Sequence, residues 1–420
     1  MYRALIFYHY FYPDDVVSSA HISELADGLA RRGWDVTAMP CNRGCRDESR
    51  SYPAEEKWNG IQIRRVWRPR IAQASAAGRL VNALWMIVRW SLEALAPGKA
   101  PDVLIVGTDP ILSVLVARFW KLARPKTRVV HWCFDLYPEA AGADGILRPQ
   151  GRIYQFLQGL LGPAYKSCDL IADIGSCMRE RLARYESLAK PATLTPWALS
   201  EPESPIEVAA EERAELFGDA RLGLIYSGNF GRAHAYEEIL QLGRLLREHN
   251  IKLVFSVRGN RERALRDAVR EDDTNVSFCG FASADQLERR LSAADIHVVS
   301  LRPEWTGMVV PSKFFGAIAA SRPVLFAGSP ESAVAKWIAQ YGLGWILRLD
   351  NVTEIAAEII RYMRSPVENT RMRRHCFEIY QKHFSKKQVL DAFDRELRAL
   401  LAPRTLRQLD AHAGSHYVKY

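Results

Sequence analysis

The sequence predicts an α/β protein: two Rossmann-like, doubly wound domains facing each other across a cleft, followed by a helical tail. Three observations carry this expectation. Short, apolar, β-rich runs alternate with amphipathic segments along most of the 420 residues, the pattern of parallel sheets covered by helices. A glutamate-rich stretch with two prolines, residues 200–215, interrupts the alternation, which then restarts. The length fits two or three domains at about 150 residues each.

In the first domain, residues 3–9 (RALIFYH) read as a strand. Residues 19–32 then place Ile22, Leu25, Ala26 and Leu29 at the i, i+3, i+4, i+7 spacing of a helix, and Gly33 stops it. WDVTAMP is the next strand, and PDVLIVGT (101–108), TRVVHWCF (127–134), DLIADIGS (169–176) and ATLTPWAL (192–199) read as buried strands. In the second domain LGLIYSGN (222–229), KLVFSVRG (252–259), NVSFCGF (275–281), DIHVVSL (295–301) and PVLFAG (323–328) repeat the theme. From about Asn351 to Leu401 the pattern is helical. The expected division is a first domain over 1–200, a second over 216–385, and a helix and tail over 386–420 that pack back on the first. No repeat of 20–50 residues is present.

Composition is that of an ordinary globular protein, 48% hydrophobic and 25% charged, which excludes disordered and collagen-like classes. The net charge of +9 is uneven: residues 1–200 carry 26 − 19 = +7 and residues 201–420 carry 31 − 29 = +2. Between Gly60 and Arg128, 12 basic residues meet 3 acidic ones. An acidic partner is expected for the front half: a lipid headgroup, a diphosphate or nucleic acid. The chain lacks interleaved aromatic and basic readout motifs, so nucleic acid is set aside. Seven cysteines without a CxxC indicate neither a zinc site nor a disulfide framework. The start MYRALIFYHYFYPDD has no basic leader, so no signal peptide is expected. The most apolar stretch, Leu80–Ala96, is broken by Asn82, Arg89 and Glu93 and falls short of the ~20 apolar residues of a membrane span. The expectation is a cytoplasmic protein, soluble or peripheral. Gly78–Ala96, with Trp85 and Trp90, reads either as an interfacial amphipathic helix or as an ordinary packed one.

Two segments carry the chemistry. Tyr226-Ser-Gly-Asn-Phe-Gly231 ends a strand and precedes a helix; Gly228 and Gly231 let the backbone approach a ligand, and the helix start offers free N–H groups to phosphate. Val310-Pro-Ser-Lys313 opens a helical run, with Pro311 expected in the first turn and Ser312 as a cap. Lys313 there opposes the helix dipole, which a bound anion such as a diphosphate explains.

Taken together, these segments resemble family 4 glycosyltransferases of the GT-B fold, and within them the colanic-acid and O-antigen biosynthesis type. FYPDD with ELADGLARRGWDVTAMP is similar to the family's opening segment. HWCFDLYPEAA, CDLIADIGSCMRERL, YSGNFG, AADIHVVSL and VPSKFFGAIAASRPVLFAG follow in the family's order. The resemblance implies a hexosyl- or N-acetylhexosaminyl-transferase that moves a sugar from a UDP- or GDP-sugar with retention. The donor would lie in the second domain, and a polyprenyl-diphosphate-linked glycan acceptor in the first, at the inner membrane face. No metal or other cofactor is expected. The family's Arg/Lys pair after the first strand of the donor domain falls on Asn229 and near His234, leaving Arg232, Arg258 and Lys313 as the cations. Its paired glutamates fall on Met308 and Gly316, leaving Glu304 as the nearest acid. Donor binding is thus assigned to Gly228, Asn229, Gly231, Arg232, Arg258, Ser312 and Lys313. Asp135, His131 and Glu304 are the candidates for catalysis, although His131, within its strand, reads first as a buried core histidine. Asp14, Asp15, Ser18 and Ser19 are the acceptor-side candidates. Arg64, Arg65, Arg68 and Arg70 are expected to face anionic lipid. A UDP-sugar 2-epimerase of the same fold is the competing reading.

Overall fold

The computed structural model describes residues 1–14, 16–73, 75–283 and 286–402. The first sheet contains β1 (Arg3–Phe7), β2 (Asp35–Ala38), β3 (Glu55–Trp58), β4 (Ile61–Arg64), β5 (Val103–Gly107), β6 (Arg128–Trp132), β7 (Leu170–Asp173) and β8 (Lys190–Thr193). Their spatial order is β3-β4-β2-β1-β5-β6-β7-β8, parallel except for the β3–β4 edge hairpin. The second sheet contains β9 (Leu222–Asn229), β10 (Ile251–Arg258), β11 (Val276–Phe278), β12 (Ile296–Leu301), β13 (Val324–Gly328) and β14 (Gly344–Leu347). Its order is β11-β10-β9-β12-β13-β14, all parallel.

Helices cover both sheets. The first domain carries α1 (Val17–Arg31), α2 (Ala76–Glu93), α3 (Leu115–Ala123), α4 (Glu139–Ala143), α5 (Arg152–Lys166) and α6 (Ser176–Leu182). After these come α7 (Ala210–Phe217), α8 (Glu237–Leu246), α9 (Glu262–Ala268), α10 (Leu287–Ala293), α11 (Lys313–Ala319), α12 (Ala333–Tyr341) and α13 (Val352–Met363). The chain closes with α14 (Pro366–Ile379), a π-helical turn at Tyr380–Phe384, and α15 (Lys386–Leu401). Among the described residues no helix is long and apolar enough to cross a membrane.

The pattern of the residues explains these elements. β5, β12 and β13 are buried along their whole length, as central parallel strands covered on both faces must be. Ile22, Leu25, Ala26 and Leu29 of α1 have no exposed surface, and Gly33, at φ +83°, turns the chain out of the helix. The ATLTPWAL strand stops at Thr193. Its apolar tail is buried in a loop, where Trp197 passes under α1 and its carbonyl accepts from His21 Nε2 at 2.9 Å. The β3–β4 hairpin and β14 were not expected, because EEKW, IQIR and GWIL are too short to give a clear period.

α15 returns to the first domain. Arg32 pairs with Asp391 at 2.6 Å, Trp34 Nε1 donates to Asp394 at 2.7 Å, and Lys386 pairs with Glu24 at 2.9 Å. The buried Phe393 meets the Trp132 ring edge-on at 4.8 Å. Phe393→Ala therefore removes a fully buried ring at the joint between tail and sheet. It is expected to cost about 3–5 kcal/mol, read as a lower urea midpoint.

Candidate active site

In open parallel sheets, ligands bind beyond the carboxyl ends of the strands, where neighbouring connections leave in opposite directions. β1, between β2 and β5, is that point in the first sheet; β9, between β10 and β12, is that point in the second. The loops from these ends meet. Leu136 N–H donates to Met308 O at 2.9 Å, Arg181 Nε to Thr306 O at 2.5 Å, and Arg232 pairs with Asp144 at 2.6 Å.

On the second-domain side, β9 delivers Gly228 at φ +133°, where a Cβ would lie 2.6 Å from Lys313 Cε. Only glycine leaves that space open. Lys313 is the first residue of α11. Its Nζ donates to Asn229 O at 2.9 Å and stands 5.2 Å from the Tyr226 ring centroid. Burial lowers the ammonium to about 8. Beside it, His234 is pushed down to about 3, by burial first and then by the Lys313 charge. A neutral imidazole thus replaces a second cation, and its Nδ1 donates to Ser300 O at 2.8 Å. Gly231 packs close to Asn229, and Arg258 lies opposite Asn229 in the ladder with its guanidinium 3.9 Å over the Phe281 ring.

Two expectations about the start of α11 are corrected. Ser312 is helical (φ −64°, ψ −19°), so its exposed hydroxyl caps nothing; an N-cap needs an extended backbone. Pro311 consequently precedes the helix instead of occupying its first turn. Arg232, half exposed, is paired with Asp144 across the domains. Glu304 is exposed in a 3₁₀ turn, 3.6 Å from Arg302.

On the first-domain side, Asp135 follows β6 beside the cross-domain bond of Leu136. Burial, and then the nearby Asp109, raise its carboxyl to about 6. It lines a pocket of about 10 Å³ with His131, Tyr137, Thr108 and Ser113, room for roughly one water. His131 is buried and pulled down to about 4 by desolvation; it donates from Nδ1 to Val106 O at 2.9 Å. Among the described residues its Nε2 has no hydrogen-bond partner, so it is a neutral ring on the pocket wall. Asp109, at the end of β5, escaped the sequence reading. Its signal was an acid directly after VLIVGT, at the same end of the sheet as Asp135. It lies 3.3 Å from His9 Nδ1. Burial pulls His9 down, but Cys41 and Asp109 outweigh it and hold the ring at about 9.

Asp14 Oδ1 accepts from Cys45 N–H at 3.1 Å and the Tyr52 hydroxyl at 3.3 Å, so it anchors a loop. Ser19 is buried and turned to Asp14 O at 3.2 Å, while Ser18 is half-buried in the first turn of α1. Asp15 lies outside the described residues. The expected basic face also dissolves. Arg64 pairs with Glu93 at 2.8 Å, Arg65 is buried on Glu56 at 2.6 Å, and Arg68 is fully buried. Of the four, Arg70 alone is exposed.

Two parallel-sheet domains meeting through their strand ends, with a glycine turn and a half-buried lysine in the second, define a glycosyltransferase of the GT-B fold. Two family models match, a glycosyl transferase 4-like domain over residues 18–196 and the glycosyl transferases group 1 domain over residues 221–365. The chain belongs to the family 4 type of these enzymes. A probable glycosyltransferase WbjE of Pseudomonas aeruginosa is 25% identical over 66% of this chain and 70% of its own length. Among solved structures, sucrose-phosphate synthase from Thermosynechococcus elongatus superposes with a TM-score of 0.70 at 14% identity, over 96% of this chain and 99% of its own. Starch synthase IV from Arabidopsis thaliana, bound to ADP and acarbose, gives 0.66 at 10% identity over 96% and 100%. Anabaena Alr3699/HepE, in complex with UDP and glucose, gives 0.64 at 11% over 95% and 100%.

Proposed function

We propose that this glycosyltransferase takes its sugar from a UDP- or GDP-sugar and passes it, with retention, to a polyprenyl-diphosphate-linked glycan at the inner face of the cytoplasmic membrane. The observation that carries the reading is Lys313, a half-buried ammonium at the glycine turn of β9. A cation held where its own charge is penalised is best explained by an anionic group that it meets there. The Anabaena and Arabidopsis relatives hold UDP and ADP respectively, the class of ligand assigned here to that turn.

In this reading the bond from the anomeric carbon to the leaving diphosphate breaks as Lys313 and the backbone amides around Gly228 and Gly231 take up the developing charge. The acceptor hydroxyl attacks from the same face, and its proton passes to a leaving phosphate oxygen. Asp135 orients that hydroxyl. Charge neutralisation is assigned to these groups alone, without a metal. Thermal-shift measurements against UDP-, GDP- and dTDP-sugars test the donor: one nucleotide series should raise the melting temperature of wild type but not of Lys313→Ala.

The membrane reading rests on three adjacent helices. α2 exposes Val81, Leu84, Trp85, Val88 and Leu92; α3 exposes Phe119 and Leu122; α5 exposes Ile153 and Phe156. Contiguous apolar surface of this extent marks an interaction site, and the exposed Arg89, Arg118 and Arg152 lie among these residues, as an anionic interface requires. The triple variant L84S/V88S/L92S is expected to weaken sedimentation with anionic vesicles by tenfold or more, at about 0.8 kcal/mol per methylene withdrawn. Trp85 fluorescence in wild type should shift to the blue on the same vesicles.

A further inference from the structure

Arg68 lies two residues beyond the Cys41–Val66 bridge that extends the β2–β4 ladder, at the carboxyl end of the first sheet. Its side chain is fully buried, and among the described residues none of Nε, Nη1 and Nη2 has a hydrogen-bond partner. A guanidinium stays protonated in a protein, so this is a buried cation with no hydrogen-bond partner among the described residues, among the costlier arrangements available to a chain. The same chain solves the problem elsewhere. Arg322, equally buried, donates from Nε to Ala294 O at 2.7 Å, from Nη1 to Ala320 O at 2.9 Å and from Nη2 to Ser292 O at 2.6 Å. Arg65, three residues before Arg68, is paired with Glu56 and with Tyr12 O. The contrast marks Arg68 as a cation left without a partner among the described residues.

Its surroundings agree. The backbone is fixed: Arg68 N–H donates to Asn42 Oδ1 at 2.9 Å, and Arg43 Nε reaches Arg68 O at 3.4 Å. Tyr10, from the loop after β1, lies within electrostatic reach of the guanidinium. Its hydroxyl accepts from Gln73 Nε2 at 3.1 Å. The segment 69–73 that follows is tied down by side chains: Gln73 N–H on Glu48 at 2.6 Å, and Asn82 Nδ2 on Ile71 O at 2.8 Å. It runs directly into α2.

We propose that Arg68 anchors an oxyanion in the first domain, taking a phosphate or diphosphate group with Tyr10 as its neighbour. This rests on the reading of a diphosphate-linked acceptor given above. The test uses the full chain with UDP and GDP in excess, so that the donor site is filled. Inorganic pyrophosphate and farnesyl diphosphate serve as probes in calorimetry and melting.

Wild type should bind both probes and melt higher with either. Arg68→Met and Arg68→Gln should each lose about tenfold or more in affinity, while the exposed Arg70→Gln stays within about twofold. Arg68→Met without probe should melt above wild type, because an uncompensated buried charge has been replaced by an apolar chain of similar volume. Tighter binding of farnesyl diphosphate assigns the group to a lipid; equal binding assigns it to a soluble phosphate, with the site intact. The proposal is overturned if Arg68→Met binds both probes as wild type does, or if it melts lower with its affinities unchanged. If the probes bind through Arg68 but no sugar is transferred, the acceptor reading fails and the site stands. If Arg68→Met transfers sugar with an unchanged acceptor KM, the site fails and the reading stands.

Discussion

Lys313→Ala lowers kcat/KM by about 10²–10³-fold, the loss seen when one preorganised stabiliser of a leaving or developing anion is removed. Affinity for the nucleoside diphosphate falls in parallel, because the ammonium meets the diphosphate in the ground state as well as in the transition state. The pH dependence has a definite sign. The protonated form binds, so affinity is flat below about 8, where burial has placed the ammonium, and declines above it. Stability runs the other way. The folded-state value lies below the ordinary 10.5, so between about 8 and 10.5 the unfolded chain binds more protons and stability rises with pH. Lys313→Ala should flatten both profiles. A variant that loses binding while melting no lower than wild type separates a functional lysine from a packing one.

Asp135→Asn cuts transfer by about 10²-fold, the order of loss when a reacting group is no longer held in place, and leaves nucleotide affinity unchanged. The carboxyl lies on the first-domain side of the Leu136–Met308 bond, away from the Lys313 turn. Its ionised form is the one that accepts from a hydroxyl. Wild-type kcat/KM should therefore fall as pH drops through about 6, the value set by burial and by Asp109. The variant should lack that limb. Amide and carboxyl are isosteric, and the raised carboxyl carries a desolvation cost, so the melting temperature should not drop. Steady-state kinetics across pH 5–8 with a fixed acceptor reads all three quantities.

Much of the architecture was written in the period of apolar residues. β1, β5, β6, β9, β12 and β13 are runs of Val, Ile, Leu and Phe, and burial on both faces leaves such runs little alternative to a central parallel strand. The short edge elements β3, β4 and β14 were not legible, because four residues hold too few alternations to tell a strand from a loop. At the site, glycine at 228 and lysine at 313 could be read from the motifs. That they would touch could not, since 84 residues separate Asn229 and Lys313 and only the β9–β12 pairing brings them together. Charge was the least legible property. Composition gave the right sum for residues 60–128, yet Arg65 and Arg68 are buried, and Arg64 and Arg65 are paired with Glu93 and Glu56. The surface beside them is apolar instead, through α2, α3 and α5.

The most direct test of a nucleotide-sugar-dependent transferase is acceptor-dependent release of nucleoside diphosphate, followed with the donor found by thermal shift. A synthetic prenyl-diphosphate-linked sugar is supplied or withheld, and the anomeric configuration of the product is read by NMR. The account predicts release that rises with acceptor, a glycosidic bond of the donor's own anomeric configuration, and loss of both in Lys313→Ala. Conversion of the nucleotide sugar to an epimer without acceptor, or a product of inverted configuration, would contradict it.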